Sequence, residues 1–338
     1  MIHSIKRMEK KYILDSGERN IGRRNEIVKK LAISFITFNR AKHIKEDLDR
    51  IAKSTKDLNI DIYIFDGSTN LHTKYVVNNF LNNGYNHIHY FHIENAISDS
   101  DGLTQRLSKA LFEPDAEYVW LCGDRFVINP NYYNEILSYI DKSYDIITIY
   151  EKILKGTREF EDVSGFADYA IVPVTQFGST IVKKKLIDAY SIKKARKKIA
   201  SFGVQFIFLL VIGNCKTFKG VVIDGGEQAI ILSKFLTRSG CLSSMWNTWI
   251  EGWYKFIDLL PDAYNSVKKG LYNRPDLQMG FFSVKELLRQ RSEEQFDWKK
   301  CIEYRKYVKK VIVLPSIIVF GIAILPKGLA GYLYKIKK

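Results

Sequence analysis

The most constraining feature of this chain is a succession of short, almost uninterrupted apolar runs separated by amphipathic stretches. LAISFIT (31–37), DIYIFD (61–66), IHYFHI (88–93) and EYVWLC (117–122) are rich in β-branched and aromatic residues. They have the length and texture of strands covered on both faces. Between the first two, residues 41–52 place Ile44, Leu48 and Ile51 on one stripe of a helix. Residues 73–82 and 103–111 also read as helices. Strands alternating with helices at this spacing predict an α/β, mostly parallel, doubly wound sheet. Ligands of such sheets bind at the carboxyl ends of the strands, so the residues that close each run are where chemistry is expected.

Past residue 130 the texture changes. A helix is expected over 131–140, a strand over 145–150, and a charged excursion over 151–164. YAIVPV (169–174), STIVKK (179–184) and GVVID (220–224) read as strands, and 204–212 as an apolar helix. After Ser243, Trp246, Trp249, Trp253, Phe256, Ile257 and Leu260 recur at helical steps, as core or as the lining of an acceptor site. The expected organisation is a basic leader (1–30), an α/β domain (31–225) divided at 130 into a nucleotide-binding and an acceptor half, a helical extension (226–310) and an amphipathic tail (311–338).

The formal charge of +15 calls for an anionic partner: a phosphate-bearing substrate, an anionic membrane face or a nucleic acid. Four cysteines lack CxxC spacing and suggest neither a zinc site nor a disulfide frame, which fits a reducing cytosol. His87, His89 and His92 cluster on one run, where alternation with Phe91 fits a half-buried strand better than metal ligation. Residues 296–310 interleave Trp298, Tyr304 and Tyr307 with six Lys and Arg, and the apolar run 311–325, broken by Pro315, follows. That run is shorter than the ~20 residues of a membrane-crossing helix. With its cationic, aromatic flank it is expected to lie on an anionic membrane surface. Because those cations adjoin a hydrophobic anchor, nucleic acid is not the expected partner.

The strand ends hold the candidate site. TFNR (37–40) closes the first run, DGS (66–68) the second and GDR (123–125) the fourth, and the polar loop NAISDSDGLTQR (95–106) enters a helix near Gly102. Neither GxGxxG nor GxxxxGK[ST] occurs. This ordered set, spanning 31 to 130, resembles the GT-A fold glycosyltransferases of the large family 2-type group that builds bacterial capsule and exopolysaccharide. Beyond 150 the resemblance is looser and rests on FGSTIVKK and the segment ending in LLPDAY (259–264).

The resemblance implies a GT-A domain with a helical C-terminal extension. It places Thr37, Asn39 and Arg40 near the nucleoside, and Asp66 as acceptor from the base imide with Ser68 beside it. Gly102 and Arg106 would face the diphosphate or ribose, and Gly178 and Ser179 the transferred sugar. Where the family carries an acidic cluster holding Mg2+ or Mn2+, this chain reads Asp124, Arg125, Phe126. Either Asp124 alone holds the cation, or Arg125 neutralises the diphosphate through paired charge-assisted hydrogen bonds. The position of the usual catalytic carboxylate falls near Gln205, which can orient an acceptor hydroxyl but cannot take its proton. Asp162, Asp168 and Asp224 are the substitute bases.

The implied activity is transfer of a sugar from a nucleotide-sugar, expected to be a UDP-sugar, to a hydroxyl of a lipid-linked saccharide. The implied location is cytoplasmic, peripheral on the inner face of the plasma membrane. The alternative is a catalytically inactive glycosyltransferase-like subunit that binds a sugar ligand or a partner enzyme. Whether the chain forms homo-oligomers is left open.

Overall fold

A computed structural model describes residues 28–94, 100–150, 156–176, 178–188, 207–226, 229–232 and 245–336. Ten strands are described: β1 Lys29–Thr37, β2 Ile60–Asp66, β3 Ile88–His92, β4 Ala116–Gly123, β5 Phe126–Ile128, β6 Ile146–Tyr150, β7 Arg158–Phe160, β8 Thr180–Lys183, β9 Gly220–Asp224 and β10 Ile230–Leu232. Eight form one sheet in the order β3-β2-β1-β4-β8-β6-β9-β7, and β5 pairs with β10 in a small second sheet. The four strands β3, β2, β1 and β4 are mutually parallel, as the alternation with helices requires.

Period-two alternation sends each strand's side chains to two different cores. Ala32, Phe65, Val119, Leu121, Ile146 and Val222 face one layer, whereas Ile33, Phe35, Ile62, Ile64, Trp120, Ile147 and Ile223 face the other. All of them are at most 2 % exposed. Burying each large apolar side chain contributes about 1.5–3 kcal/mol, which is why these runs carry almost no polar residue. Helix α1 (Ala41–Lys56) and α4 (Tyr133–Asp141) cover the second layer, through Ile44, Leu48, Ile51, Ile136 and Ile140. Helix α3 (Ser100–Phe112) lies on the first through Leu107, Ala110 and Leu111. Helix α2 (His72–Asn82) fills in beside α1.

One expectation is corrected here. Residues 169–174 are not a strand but the second half of α5, Val163–Val174. Phe166, Ala167, Ala170, Ile171 and Val174 are fully buried at helical spacing. The helix is apolar nearly all round because it lies against the sheet and the C-terminal helices at once, and that packing overrides the strand preference of its β-branched residues. The Asp162 carboxylate accepts from the Gly165 N–H at 2.6 Å and caps the start. The sheet is mostly parallel, as expected, with β8 antiparallel to β4 and β6, and β7 antiparallel to β9. Strands β6 and β9 are again parallel to each other.

The C-terminal helices continue the first apolar layer. Trp246 is 1 % exposed, donates to Gln290 Oε1 at 2.8 Å and stacks on Phe296 with centroids 4.7 Å apart. Trp253 is buried and donates to the Leu271 carbonyl at 2.9 Å. These tryptophans are core residues, each with its indole N–H satisfied.

Candidate active site

The parallel register brings the tips of β1, β2 and β4 side by side. Thr37 stands opposite Asp66, and Ile36 opposite Gly123. From there the turns are tied together by side chains. Thr37 Oγ1 donates to Asp124 Oδ2 at 2.7 Å, and the Arg40 guanidinium donates to Asp124 Oδ1 at 2.9 Å. Asp124 is 3 % exposed, so a buried carboxylate is held by one hydroxyl and one cation, the arrangement a buried charge needs. His43, on the first turn of α1, lies within electrostatic reach of Asp124, Arg40 and Arg125, and burial foremost holds its imidazole below the usual histidine range.

Asn39 has a left-handed backbone, φ 55°, a conformation asparagine tolerates. Its N–H donates to Ser68 Oγ at 2.8 Å, while its side-chain oxygen accepts from the Thr69 N–H at 3.1 Å and Asn70 Nδ2 at 3.1 Å. The β1 and β2 turns are thereby one rigid edge. Asp66 is fully buried: its Oδ1 accepts from the Ser68 N–H at 2.9 Å and from the Ser68 hydroxyl, and its Oδ2 accepts from Tyr90 Oη at 2.8 Å. In this state Asp66 and Asn39 fix the turns rather than presenting free acceptors. Reading a base imide would use the lone pair left on Asp66 Oδ2, which Tyr90 alone engages, or displace Tyr90 from it. Tyr90 escaped the sequence reading; its only trace there is its place on β3, in register with Ile64.

Gly102 is buried on α3. Arg106, one turn further, is 5 % exposed and lies 5.2 Å over the ring of Phe38, so α3 meets the tip of β1 through a cation–π contact. Gly178 has φ 80°, and its carbonyl accepts from Trp120 Nε1 at 3.0 Å. Ser179 is fully buried, and its hydroxyl donates to the carbonyls of Pro173 and Gln176. Its side chain therefore shapes the turn after α5 and is not presented to a sugar. Gln205 lies outside the described residues.

The substitute bases separate cleanly. Asp162 caps α5 and, with Lys142, Asp145, Lys183 and Lys219, lines a cavity of about 670 Å3. Asp145 and Lys219 immediately precede β6 and β9, so this cavity is at the amino ends of the strands, opposite the edge that holds Asp124. Asp168 is ion-paired with Arg274. Asp224 alone of the three ends a strand on the Asp124 edge: it closes β9 level with Tyr150 of β6, and β9 is three strands from β4. At strand spacings of about 4.8 Å the separation is about 14 Å, room for a sugar between them. Its carboxylate accepts from the Gly156 N–H at 3.0 Å and the Gly226 N–H at 3.2 Å.

One buried acid was not anticipated. Asp47, on α1, is fully buried, and neither carboxylate oxygen has a hydrogen-bond partner among the described residues. Desolvation, then the nearby Asp124, pushes its carboxyl up to about 8. It is therefore held protonated at neutral pH and adds no charge beside Asp124.

A divalent cation would have to be held by Asp124. Both of its oxygens already accept a hydrogen bond, one of them from a guanidinium. Among the described residues no group of three or more His, Cys, Asp or Glu could hold a metal ion. Asp124 alone is a poor donor set for a hard cation, whose remaining oxygens would have to come from diphosphate and water beside the Arg40 guanidinium.

No protein-family profile matches the chain, and no curated protein sequence matches it. Solved structures do. TarS of S. aureus, residues 1–349, superposes with a TM-score of 0.52 at 15% identity, covering 81% of this chain and 82% of that one. The same protein in complex with UDP-GlcNAc gives 0.53 at 15% identity, over 81% and 80%. Against the longer TarS structure, also at 0.53, this chain spans 53% of the length. A mannosyltransferase from Pyrobaculum calidifontis, in complex with GDP-Man and Mn2+, is a more distant likeness at 0.49 and 10% identity, over 94% and 90%. With its mostly parallel sheet flanked by helices and its C-terminal helical layer, the chain has the α/β fold of the GT-A glycosyltransferases.

Proposed function

We propose that this chain transfers a sugar from a nucleotide-sugar, a UDP-sugar by preference, to a hydroxyl of a lipid-linked saccharide in cell-surface polysaccharide synthesis. The observation that carries the proposal is the Thr37–Asp124–Arg40 knot at the carboxyl edge of the parallel strands, flanked by the Asp66–Ser68 turn. The same strand-end set carries the family resemblance, and solved TarS complexes hold UDP and UDP-GlcNAc on this fold. In the reaction the acceptor oxygen bonds to the anomeric carbon as the bond from that carbon to the diphosphate oxygen breaks. The acceptor proton passes to a base, and the nucleoside diphosphate leaves. Of the carboxylates considered, Asp224 has the placement for that base. Arg40 and Arg125 meet the charge that develops on the leaving group.

The C-terminal surface supports a membrane location. No single helix among the described residues is long and apolar enough to cross a bilayer, but Ser316–Ile324 and Lys327–Ile336 form an apolar pair bent by 119°. Val319, Ile322, Ala323 and Ala330 pack inward, while Ile317 (81 %), Ile324 (57 %), Tyr332 (63 %) and Ile336 (63 %) face outward. The exposed cations Arg305, Lys306, Lys309 and Lys310 precede the pair. An apolar wedge beside a basic helix is what an anionic leaflet attracts, at about 1 kcal/mol per cation.

The decisive assay incubates the protein with a panel of nucleotide-sugars and a membrane lipid extract. Transfer that Asp124→Asn abolishes is the expected result. Transfer unchanged in that variant, or no nucleotide bound at millimolar concentration, refutes the proposal. The place of Asp162 at the opposite edge and the pairing of Asp168 with Arg274 favour a second reading, a non-catalytic sugar-binding subunit. It predicts nucleotide-sugar binding without turnover of any donor.

A further inference from the structure

The charges at the Asp124 edge are arranged in a way that bears on how a diphosphate would be held. Asp124 follows directly on β4 and touches the turn after β1, where its two oxygens are engaged by Thr37 and Arg40 at 2.7 and 2.9 Å. A cation coordinated to either oxygen would stand against the Arg40 guanidinium at close range, which is repulsive. Arg40 has 41 % of its side chain exposed, so it meets Asp124 with one nitrogen and turns others to solvent. Arg125 is the next residue along, partly exposed, with no ion pair among the described residues. His43, near both guanidinium groups, is neutral through burial, and Asp47 behind Asp124 is protonated. Two guanidinium groups therefore stand at this edge beside the Asp124 carboxylate, each partly exposed.

A guanidinium supplies what a bridging cation would supply to a diphosphate: positive charge and several directed contacts to oxygen. It does so without a coordinating carboxylate, and the carboxylate that follows β4, Asp124, is already engaged by Thr37 and Arg40. On the reading that the chain binds a nucleotide-sugar, we propose that Arg40 and Arg125 neutralise the donor diphosphate directly, and that nucleotide binding is independent of divalent metal. Arg40 has a second duty, since it also holds Asp124. Arg125 is the residue that the proposal commits to phosphate alone.

The test is calorimetric binding of UDP and of uridine to the full chain, in EDTA and then in millimolar MnCl2 or MgCl2. The expected UDP Kd in EDTA lies within threefold of that in either metal. Arg125→Met is expected to weaken UDP at least tenfold and uridine less than twofold, and Arg125→Lys to recover part of the loss. Tightening by Mn2+ or Mg2+ of threefold or more overturns the proposal, as does an Arg125→Met protein with native circular dichroism and an unchanged UDP-to-uridine ratio. Binding of neither UDP nor uridine under any of these conditions overturns the nucleotide-sugar reading itself, a result distinct from metal-dependent binding.

Discussion

Replacing Asp47 by asparagine tests the electrostatics of the site without touching any residue that reaches the crevice. Asp47 is fully buried between α1 and the sheet, near Cys122 and Tyr133, with no partner for either oxygen among the described residues. Burial, then Asp124, raises its carboxyl to about 8, with Arg50 opposing and Glu46 adding a little. In the unfolded chain the same group titrates near 3.9. Between those values the folded protein keeps a proton that the unfolded chain releases, so stability falls as pH rises, by about 1.4 kcal/mol per pH unit. From pH 5 to pH 7 the loss from this one group is about 2.7 kcal/mol.

An amide in place of this carboxyl does not titrate, so the Asp47→Asn variant lacks that slope. Urea unfolding of both proteins at pH 5, 6 and 7 should show the variant gaining on the parent by about 2.7 kcal/mol across the interval. Other titrating groups contribute equally to both proteins and cancel. Parallel stability curves over pH 5–7 would refute the claim that Asp47 is protonated in the folded state. Above pH 8 the parent, and not the variant, places a second negative charge beside Asp124, so its nucleotide affinity should fall where that of Asp47→Asn holds.

Further consequences can be checked separately. Thr37→Val keeps shape but removes the hydroxyl that Asp124 accepts, and should cost about 1.5–3 kcal/mol in urea unfolding, with weakened nucleotide binding. Asp162→Ala should cost about 1 kcal/mol through loss of the α5 cap and leave sugar transfer intact; loss of transfer with stability preserved would restore Asp162 as a candidate base. The pair Ile317→Glu and Phe320→Glu alters only exposed positions, so it should leave the melting temperature within a degree or two while abolishing co-flotation with vesicles of anionic lipid. Undiminished flotation would remove the wedge as the membrane contact.

The strands and helices between residues 31 and 130 were legible because their signals are local. Leu31 to Thr37 and Ile60 to Asp66 are largely apolar on both faces, short and rich in β-branched and aromatic residues, which suits a sheet covered on both sides. The turns that follow had to lie on one edge once the strands were parallel, which is why Thr37, Asp66 and Asp124 could be named together. The strand expected over 169–174 is a helix instead, because a helix buried on all sides has no amphipathic period. Its Ile171, Val172 and Val174 carry the propensity of a strand. Tyr90 and Asp47 left no signal, since a phenol aimed at Asp66 and an unpartnered acid behind Asp124 are products of register and packing.

What the sequence determined by itself was the alternation of strand and helix, the edge on which polar turns collect and the presence of one acid followed by arginine where a family member carries several acids. Those follow from hydrophobic period and residue type, which need no knowledge of distant contacts. Only the tertiary structure decided which polar residues are spent on holding the turns together. Asp66, Asn39 and Ser179 look like binding residues in the sequence, yet their polar atoms are taken by Tyr90, Thr69 and the Pro173 carbonyl. The physical reason is that a buried polar group must find a partner, and that partner is chosen by the whole fold rather than by its neighbours in the chain.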